Sequence, residues 1–268
     1  LHKEYRRQRQ MCIRDRNEGA MIVQNIVVDS LIVEGGKVCG VVTGDERMYA
    51  DVVILADGVN SLLAQSIGLR PELDPARSCV GVKEVISLSE DKINRRFGLN
   101  SGEGAERMYM GKRSEGQYAD GFIYTGKDSV SIGIEFLISD INNTDNSVPE
   151  MLEQFKEREG VAELIEGGVL SEYSAHVVHH GAEEISGIYG DGVLVAGDAA
   201  ALVANFGSTV RGMDLAVESG RLAAETVLAA REKQVYSSTN LSAYQTAVEN
   251  SFIAKEMRLC REYFADKH

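Results

Sequence analysis

The chain has 268 residues, 28 Lys and Arg against 41 Asp and Glu, a formal net charge of −13 at pH 7 and 44% hydrophobic residues. The acidic excess argues against nonspecific nucleic-acid binding, in which a basic surface supplies the affinity, and suits a globular protein whose copies repel one another. The sequence holds no apolar run of the roughly eighteen residues that a spanning helix needs, and its length suits one large domain or two interleaved ones.

The chain opens on "LHKEYRRQRQMCIRDR". It lacks the apolar centre of a signal peptide and the Ser-rich amphipathic pattern of a transit peptide. A basic arm is physically open, but the string matches a translated sequencing-library adapter without a mismatch. Residues 1–16 are therefore set aside from fold reasoning, and the native protein is expected to begin before Asn17. Those sixteen hold six basic and two acidic residues, so 22 basic and 39 acidic remain. The remaining cysteines, Cys39, Cys79 and Cys260, are widely separated and form neither a disulfide framework nor a CxxC pair. They read as reduced structural thiols, and an iron–sulfur cluster needs about four thiolates.

A β-branched apolar run, "MIVQNIVV", spans 21–28. Leu31–Glu34 and Val38–Thr43 read as a hairpin around Gly35-Gly36, with "RMYA" as a third short strand. "DVVILA" (51–56), stopped by Asp57-Gly58, reads as a fully buried parallel strand. From Cys79 the texture changes. "CVGVKEVISL", "AERMYMG", "GFIYTG" and "SVSIGIEFLI" are short strands between Gly-rich turns and predict an antiparallel sheet. "SVPEMLEQFKEREG" starts a helix, with Ser147 as cap, Pro149 in the first turn and Glu150 closing a capping box. "EYSAHVV" (172–178) is another strand. "GVLVAGDAA" (192–200) repeats the buried-strand-then-turn pattern. A long helix is predicted from about Thr209 to Ala230, with Met213, Ala216, Val217, Gly220, Ala223, Ala224 and Val227 recurring at helical spacing on one face. A last helix is predicted from roughly Leu241 to Phe264. The order is α/β, antiparallel β, then α/β again: one nucleotide-binding layer interrupted by an inserted sheet.

Two stretches carry chemistry. In "VVILADGVNS", Asp57-Gly58 ends a strand at the edge where open α/β sheets bind ligands, although Asp-Gly is also a common turn. "GVLVAGDAAALVANFGSTVRGMDLAVESG" is more specific. Gly197 permits close approach of a ligand, Asp198 can accept hydrogen bonds from ribityl or ribose hydroxyls, and Ala199 to Ala201 leave room for a flat ring. Gly207 and Gly212 flank the start of a long helix, whose unpaired N–H groups favour negative charge. The alternative is a plain strand–turn–helix with a charged turn residue. His176, His179 and His180 have no evident third partner for a metal and read as structural or surface histidines.

These strings, with "VGVKEVISL", "YSAHVV" and "NFGSTVRGMDLAVESG", resemble the p-hydroxybenzoate-hydroxylase-type flavoproteins. Within them they resemble the electron-transfer-flavoprotein:quinone oxidoreductase and FixC-like dehydrogenases, across nearly all of 17–268. The resemblance implies an α/β fold with an α+β insertion, lacking its N-terminal βαβ unit. It divides 17–75 and 181–235 (FAD-binding) from 76–180 (antiparallel-sheet substrate or partner domain) and 236–268 (C-terminal helices). It implies an FAD-dependent oxidoreductase with Asp57, Gly58, Gly197, Asp198 and Ala199 on the cofactor. Gly207, Thr209, Val210, Arg211, Gly212 and Met213 would lie near the flavin ring, with Arg211 facing the flavin or a partner, or in a surface ion pair. Lys83 and Glu84 would stand by the flavin or on a solvated strand face.

It implies electron exchange with an electron-transfer flavoprotein and a quinone or ferredoxin-like acceptor, no nucleic-acid partner, and a cytoplasmic location or a peripheral seat on the inner membrane face. No catalytic acid or base is implied, since the flavin carries the chemistry. Two alternatives stay open: a prenyl (geranylgeranyl-type) reductase, and a truncated fragment that cannot retain FAD. The sequence departs from the pattern in three places. It has no strand–GxGxxG–helix fingerprint, which is attributed to truncation. It is curtailed after "REYFADKH". It also has "HVVHHG" where the pattern leads one to expect a proline near His179.

Overall fold

The computed structural model describes residues 17–109, 120–143, 146–181, 183–206 and 210–265. The adapter-like residues 1–16 lie outside these, as do Gly207 and Thr209.

Strands β1 (Ser30–Glu34), β2 (Lys37–Thr43) and β3 (Glu46–Tyr49) form an antiparallel meander. The short β4 (Val53–Leu55) and α1 (Leu62–Ser66) follow. The inserted region carries β5 (Ser78–Ser87), α2 (Glu90–Phe97), β6 (Glu106–Tyr109), β7 (Asp120–Thr125), β8 (Ser129–Leu137), α3 (Val148–Lys156), α4 (Ala162–Ile165) and β9 (Val169–His179). Then come β10 (Tyr189–Gly190), β11 (Val193–Val195), β12 (Ala204–Asn205) and β13 (Val210–Arg211). Four helices end the chain: α5 (Met213–Lys233), α6 (Ser238–Leu241), α7 (Ala243–Glu249) and α8 (Phe252–Ala265).

The inserted strands form one antiparallel sheet in the order β6-β7-β8-β5-β9. Its long strands alternate, so Val82, Ile132, Ile134 and Ile123 share a face and bury it against Leu152 and Phe155 of α3. Ser147 starts α3 as the sequence predicts, with its backbone N–H donating to Glu150 Oε2 at 2.7 Å in a capping box. A second core joins the β10-β11-β4 layer to the C-terminal helices through Val193, Leu194, Val195, Leu215, Tyr244 and Met257.

β4 and β11 are parallel although 137 residues lie between Leu55 and Val193, because the whole inserted sheet lies within their crossover. β4 is not the fully buried strand that "DVVILA" predicts. Among the described residues it pairs only with β11, and Ile54 is 41% exposed. It borders a cleft of about 730 Å³ lined by Val28, Ile54, Asp57, Asn60 and Leu62.

The C-terminal helices also differ from expectation. α5 starts at Met213, after β13 has used Val210 and Arg211. Its buried face is Leu215, Ser219, Leu222, Ala223, Thr226 and Ala230, while Met213 and Val217 are 86% and 73% exposed. Small residues run all round this helix, so the apolar period does not single out one face. The predicted last helix is two: Leu241 ends α6, α7 starts at Ala243, and Asn250-Ser251 separates it from α8. Ser251 interrupts the run by using its side chain locally, its hydroxyl donating to Val248 O at 2.7 Å and accepting from Ile253 N at 3.1 Å.

Gly192 is where three parts meet. Its carbonyl accepts from Val53 N at 2.9 Å and its N–H donates to Tyr236 O at 3.0 Å. Its φ is +71°, and a Cβ there would lie 2.1 Å from Val38 O of the meander. Gly192→Ala should therefore cost at least about 2 kcal/mol, from backbone strain plus the clash. Thermal denaturation checks this, with a clear fall in Tm expected.

Candidate functional site

The register of β4 and β11 decides where the two sequence motifs end. Val53 pairs with Val193 and Leu55 with Val195. Asp57-Gly58 and Gly197-Asp198 thus leave the sheet at the same level on neighbouring strands. Gly58 has φ +82° and Gly197 has φ +63°, so both turns use backbone that a side chain would strain. This is the carboxyl edge at which parallel layers bind ligands.

Asp57 Oδ2 accepts from Leu63 N at 3.5 Å, a long contact that leaves the carboxylate largely open to the cleft. The second turn is held much more firmly. Gly197–Ala200 is a 3₁₀ turn whose Gly197, Ala199 and Ala200 are buried. Gly197 N donates to Ser219 Oγ at 2.9 Å, and that hydroxyl donates to Ala216 O at 2.9 Å. Asp198 O accepts from Ala201 N at 2.9 Å and faces His179 Nε2 at 3.1 Å. The fully buried Tyr244 donates from its hydroxyl to Val195 O at 3.0 Å, and burial pushes its pKa up to about 12. Of these three tethers, Ser219 and Tyr244 do not stand out by sequence, and His179 reads there only as a structural or surface histidine. Ser219 is masked by the wrong choice of helix face, and a tyrosine in a predicted helix carries no signal of its partner.

Gly212 caps α5 and lies over Asp198: a Cβ on it would meet Asp198 Oδ1 at 3.4 Å. The Asp198 carboxylate and the N-terminus of a 21-residue helix therefore converge. Val210 and Met213 are exposed beside it, and Ala199 lies buried beneath. Arg211 is committed elsewhere. It donates to Asp214 and, at 2.7 Å, to Glu256 of α8. The Asp214 hydrogen bond leads the effects that raise the Arg211 pKa, and Arg211 in turn holds Asp214 below the usual carboxylate range.

The inserted sheet reaches this region through His179, at the end of β9, and through a second polar pair. Asn205 of β12 donates from Nδ2 to Glu135 Oε1 of β8 at 3.2 Å. Burial leads the effects that raise the Glu135 pKa, and the Asp120 charge adds to it. Cys79 packs on the same sheet face. Burial first, and then Glu135, Asp120 and Asp140, push its thiol far above the ordinary range. His180 Nδ1 lies 3.6 Å from Cys79 Sγ, while His176 is exposed on β9. Among the described residues no three His, Cys, Asp or Glu side chains are grouped to hold a metal ion.

Lys83 and Glu84 separate by strand alternation. Glu84 points to the helices and pairs with Lys156 Nζ at 2.9 Å. Lys83 shares the opposite face with Gly133 and Ser174 and is half-buried.

No family model matches the chain. It is 45% identical over 245 residues to the probable electron transfer flavoprotein-quinone oxidoreductase YdiS of Escherichia coli (strain K12), covering 91% of this chain and 57% of that protein. It is 42% identical over 242 residues to protein FixC of the same strain, covering 90% of this chain and 56% of FixC.

The chain is similar in sequence to YdiS and FixC.

It spans somewhat over half the length of these curated relatives. Among solved structures it is similar to a geranylgeranyl bacteriochlorophyll reductase-like protein of Thermoplasma acidophilum, with a TM-score of 0.75 at 20% identity over 97% of this chain and 61% of that one. It is also similar to the flavin-dependent brominase Bmp2, with a TM-score of 0.65 at 15% identity over 88% of this chain and 58% of that one. It matches PqsL of Pseudomonas aeruginosa, a probable FAD-dependent monooxygenase, with a TM-score of 0.56 at 16% identity over 96% and 71%. The fold is of the p-hydroxybenzoate-hydroxylase type, an α/β layer with an inserted antiparallel sheet, as the sequence predicts. Among the described residues no helix is long and apolar enough to cross a membrane.

The raised pKa of Glu135 has a testable sign. The folded state holds this proton more tightly than the unfolded chain, so its contribution is fully present below the unfolded pKa and is lost as pH rises toward the folded one. Glu135→Gln removes that dependence. Urea denaturation between pH 4 and 8 should show the stability of the unmodified chain falling relative to the variant as pH rises.

Proposed function

We propose that the chain forms part of the FAD site of an oxidoreductase that passes electrons between an electron-transfer flavoprotein and a quinone or a ferredoxin-like acceptor. The observation that carries this reading is the level ending of β4 and β11, which sets Asp57-Gly58 beside Gly197-Asp198. The identity to YdiS, which is named for electron transfer between a flavoprotein and quinone, supports the direction of the chemistry.

The residues present fit the cofactor. The Asp57 and Asp198 carboxylates can accept hydrogen bonds from its sugar hydroxyls, and Gly58 and Gly197 let backbone approach it. Buried Ala199, Ala200 and Ala201 keep the floor small and dry. The start of α5 at Gly212 and Met213 turns the positive end of a long helix toward a negatively charged ring edge. Val210 and Arg211 border the same end, and Gly207 and Thr209 belong to the segment between β12 and β13. FAD, when bound, supplies reversible two-electron chemistry with one-electron steps available. The chain's own part is to bind, orient and keep water from it, which requires no dedicated acid or base.

The other half of such a site is proposed to lie in sequence upstream of Asn17. The second edge of β4 and the adjoining cleft, with exposed Ile54 and Leu62, offer a seat for a further parallel strand. The acidic surface favours protein or small-molecule partners over nucleic acid, and we place the protein in the cytoplasm or peripherally at the membrane.

The test is to express the reading frame as the source genome carries it through this region. The longer protein should retain FAD on purification, accept electrons from a reduced electron-transfer flavoprotein and be reoxidised by a soluble quinone. Asp198→Ala in that protein should weaken FAD retention at least about tenfold, the effect of losing one charge-assisted hydrogen bond. A longer protein with no flavin spectrum would overturn the proposal.

A further inference from the structure

His179 stands where the resemblance leads one to expect a proline nearby, and the structure gives it partners that no proline could have. It is the last residue of β9 and is 7% exposed. Nε2 lies 3.1 Å from Asp198 O. A carbonyl can only accept, so this nitrogen carries the hydrogen. Nδ1 is buried and lies 3.4 Å from Glu183 Oε1, a contact outside hydrogen-bond geometry. Glu183 is itself fixed. Arg70 Nη2 donates to its Oε2 at 3.1 Å, Arg70 Nη1 donates to Ser186 O at 2.9 Å, and Arg261 Nη1 donates to Glu183 O at 3.0 Å. Burial opposes ionisation of Glu183, but its contact with His179 and the guanidinium charges of Arg70 and Arg77 together hold its carboxyl below the usual range. Arg70 is 7% exposed, so both ends of this chain of contacts are buried.

We infer that His179, oriented by Glu183 and Arg70, is a positioning residue that clamps the Gly197–Asp198 turn and so sets where the Asp198 carboxylate points. The Asp198 carbonyl already accepts from Ala201 N, and His179 occupies its second lone pair. With both filled, the peptide plane after Asp198 has no freedom to rotate, and the side chain is left directed at Gly212. The arrangement follows the rule by which a ring nitrogen's outer partner fixes the orientation of the nitrogen that acts. The functional weight of the clamp rests on the FAD reading of this turn; its existence does not.

The experiment is amide hydrogen exchange on the 268-residue chain, with no flavin added, for the unmodified protein, His179→Gln and His179→Leu. Glutamine keeps an N–H donor near the position of Nε2, and leucine keeps only bulk. In His179→Leu the amides of Ala201 and Leu202, which donate back into the turn, should exchange about tenfold faster, the scale of one lost hydrogen bond. Amides of β8 should be unchanged, and His179→Gln should restore most of the protection. Glu183→Gln is the milder second variant. It keeps His179 but removes the charge that orients the ring, and the same two amides should loosen by a smaller factor. Equal exchange in all the proteins would overturn the clamp. So would glutamine and leucine behaving alike, or a loss of protection spread equally over β8, since that would make His179 a general support of the fold. A failure of FAD retention in the longer protein would leave these exchange results standing, so the two proposals fail separately.

Discussion

Leu55 and Val195 face each other across two parallel strands, and that register aligns the rest of the site. Two to three residues beyond each strand the chain turns on a glycine with positive φ, and an aspartate stands next to each glycine. A slip of one residue would turn every side chain of β4 to the opposite face. It would separate Asp57 from Asp198 and carry Leu55 out of the core it shares with Leu194 and Val195. Function and packing are thus tied to the same pairing.

The inserted sheet does not disturb this pairing because it has its own core. Ile132, Ile134 and Phe155 bury one face without help from the α/β layer. Contact between the layers narrows to polar links, notably Glu135 with Asn205 and His179 with the Asp198 carbonyl. Such links carry little of the burial energy but are demanding in geometry, since a buried polar group without its partner costs more than the bond contributes. They are suited to setting the distance between the sheet and the turn, and a change in either layer is felt at Asp198.

Most of the architecture was legible in the sequence because it rests on local signals. The Gly35-Gly36 hairpin, the Ser147 capping box and the alternation of β5 and β8 are read from neighbours within a few residues. The two aspartate–glycine turns were legible for the same reason. What escaped was decided at long range. The buried face of α5 could not be read because Ala, Gly and Ser surround the helix, and only the fold tells Ser219 from Val217. The exposure of Ile54 depends on what covers β4, which its own residues do not encode. Lys83 and Glu84 look like a pair in the string and are divided by the pleat. His179 reads as an ordinary histidine until Glu183, Arg70 and Asp198 are brought around it.

The central claim is that the two turns form one cofactor site. A crystal structure of the longer protein with FAD bound tests it most directly. The account predicts the Asp57 and Asp198 carboxylates both within hydrogen-bond distance of the same FAD molecule, with the flavin ring toward the start of α5. An FAD that engages only one of the two turns, or that lies against the open face of the inserted sheet away from both, would contradict it.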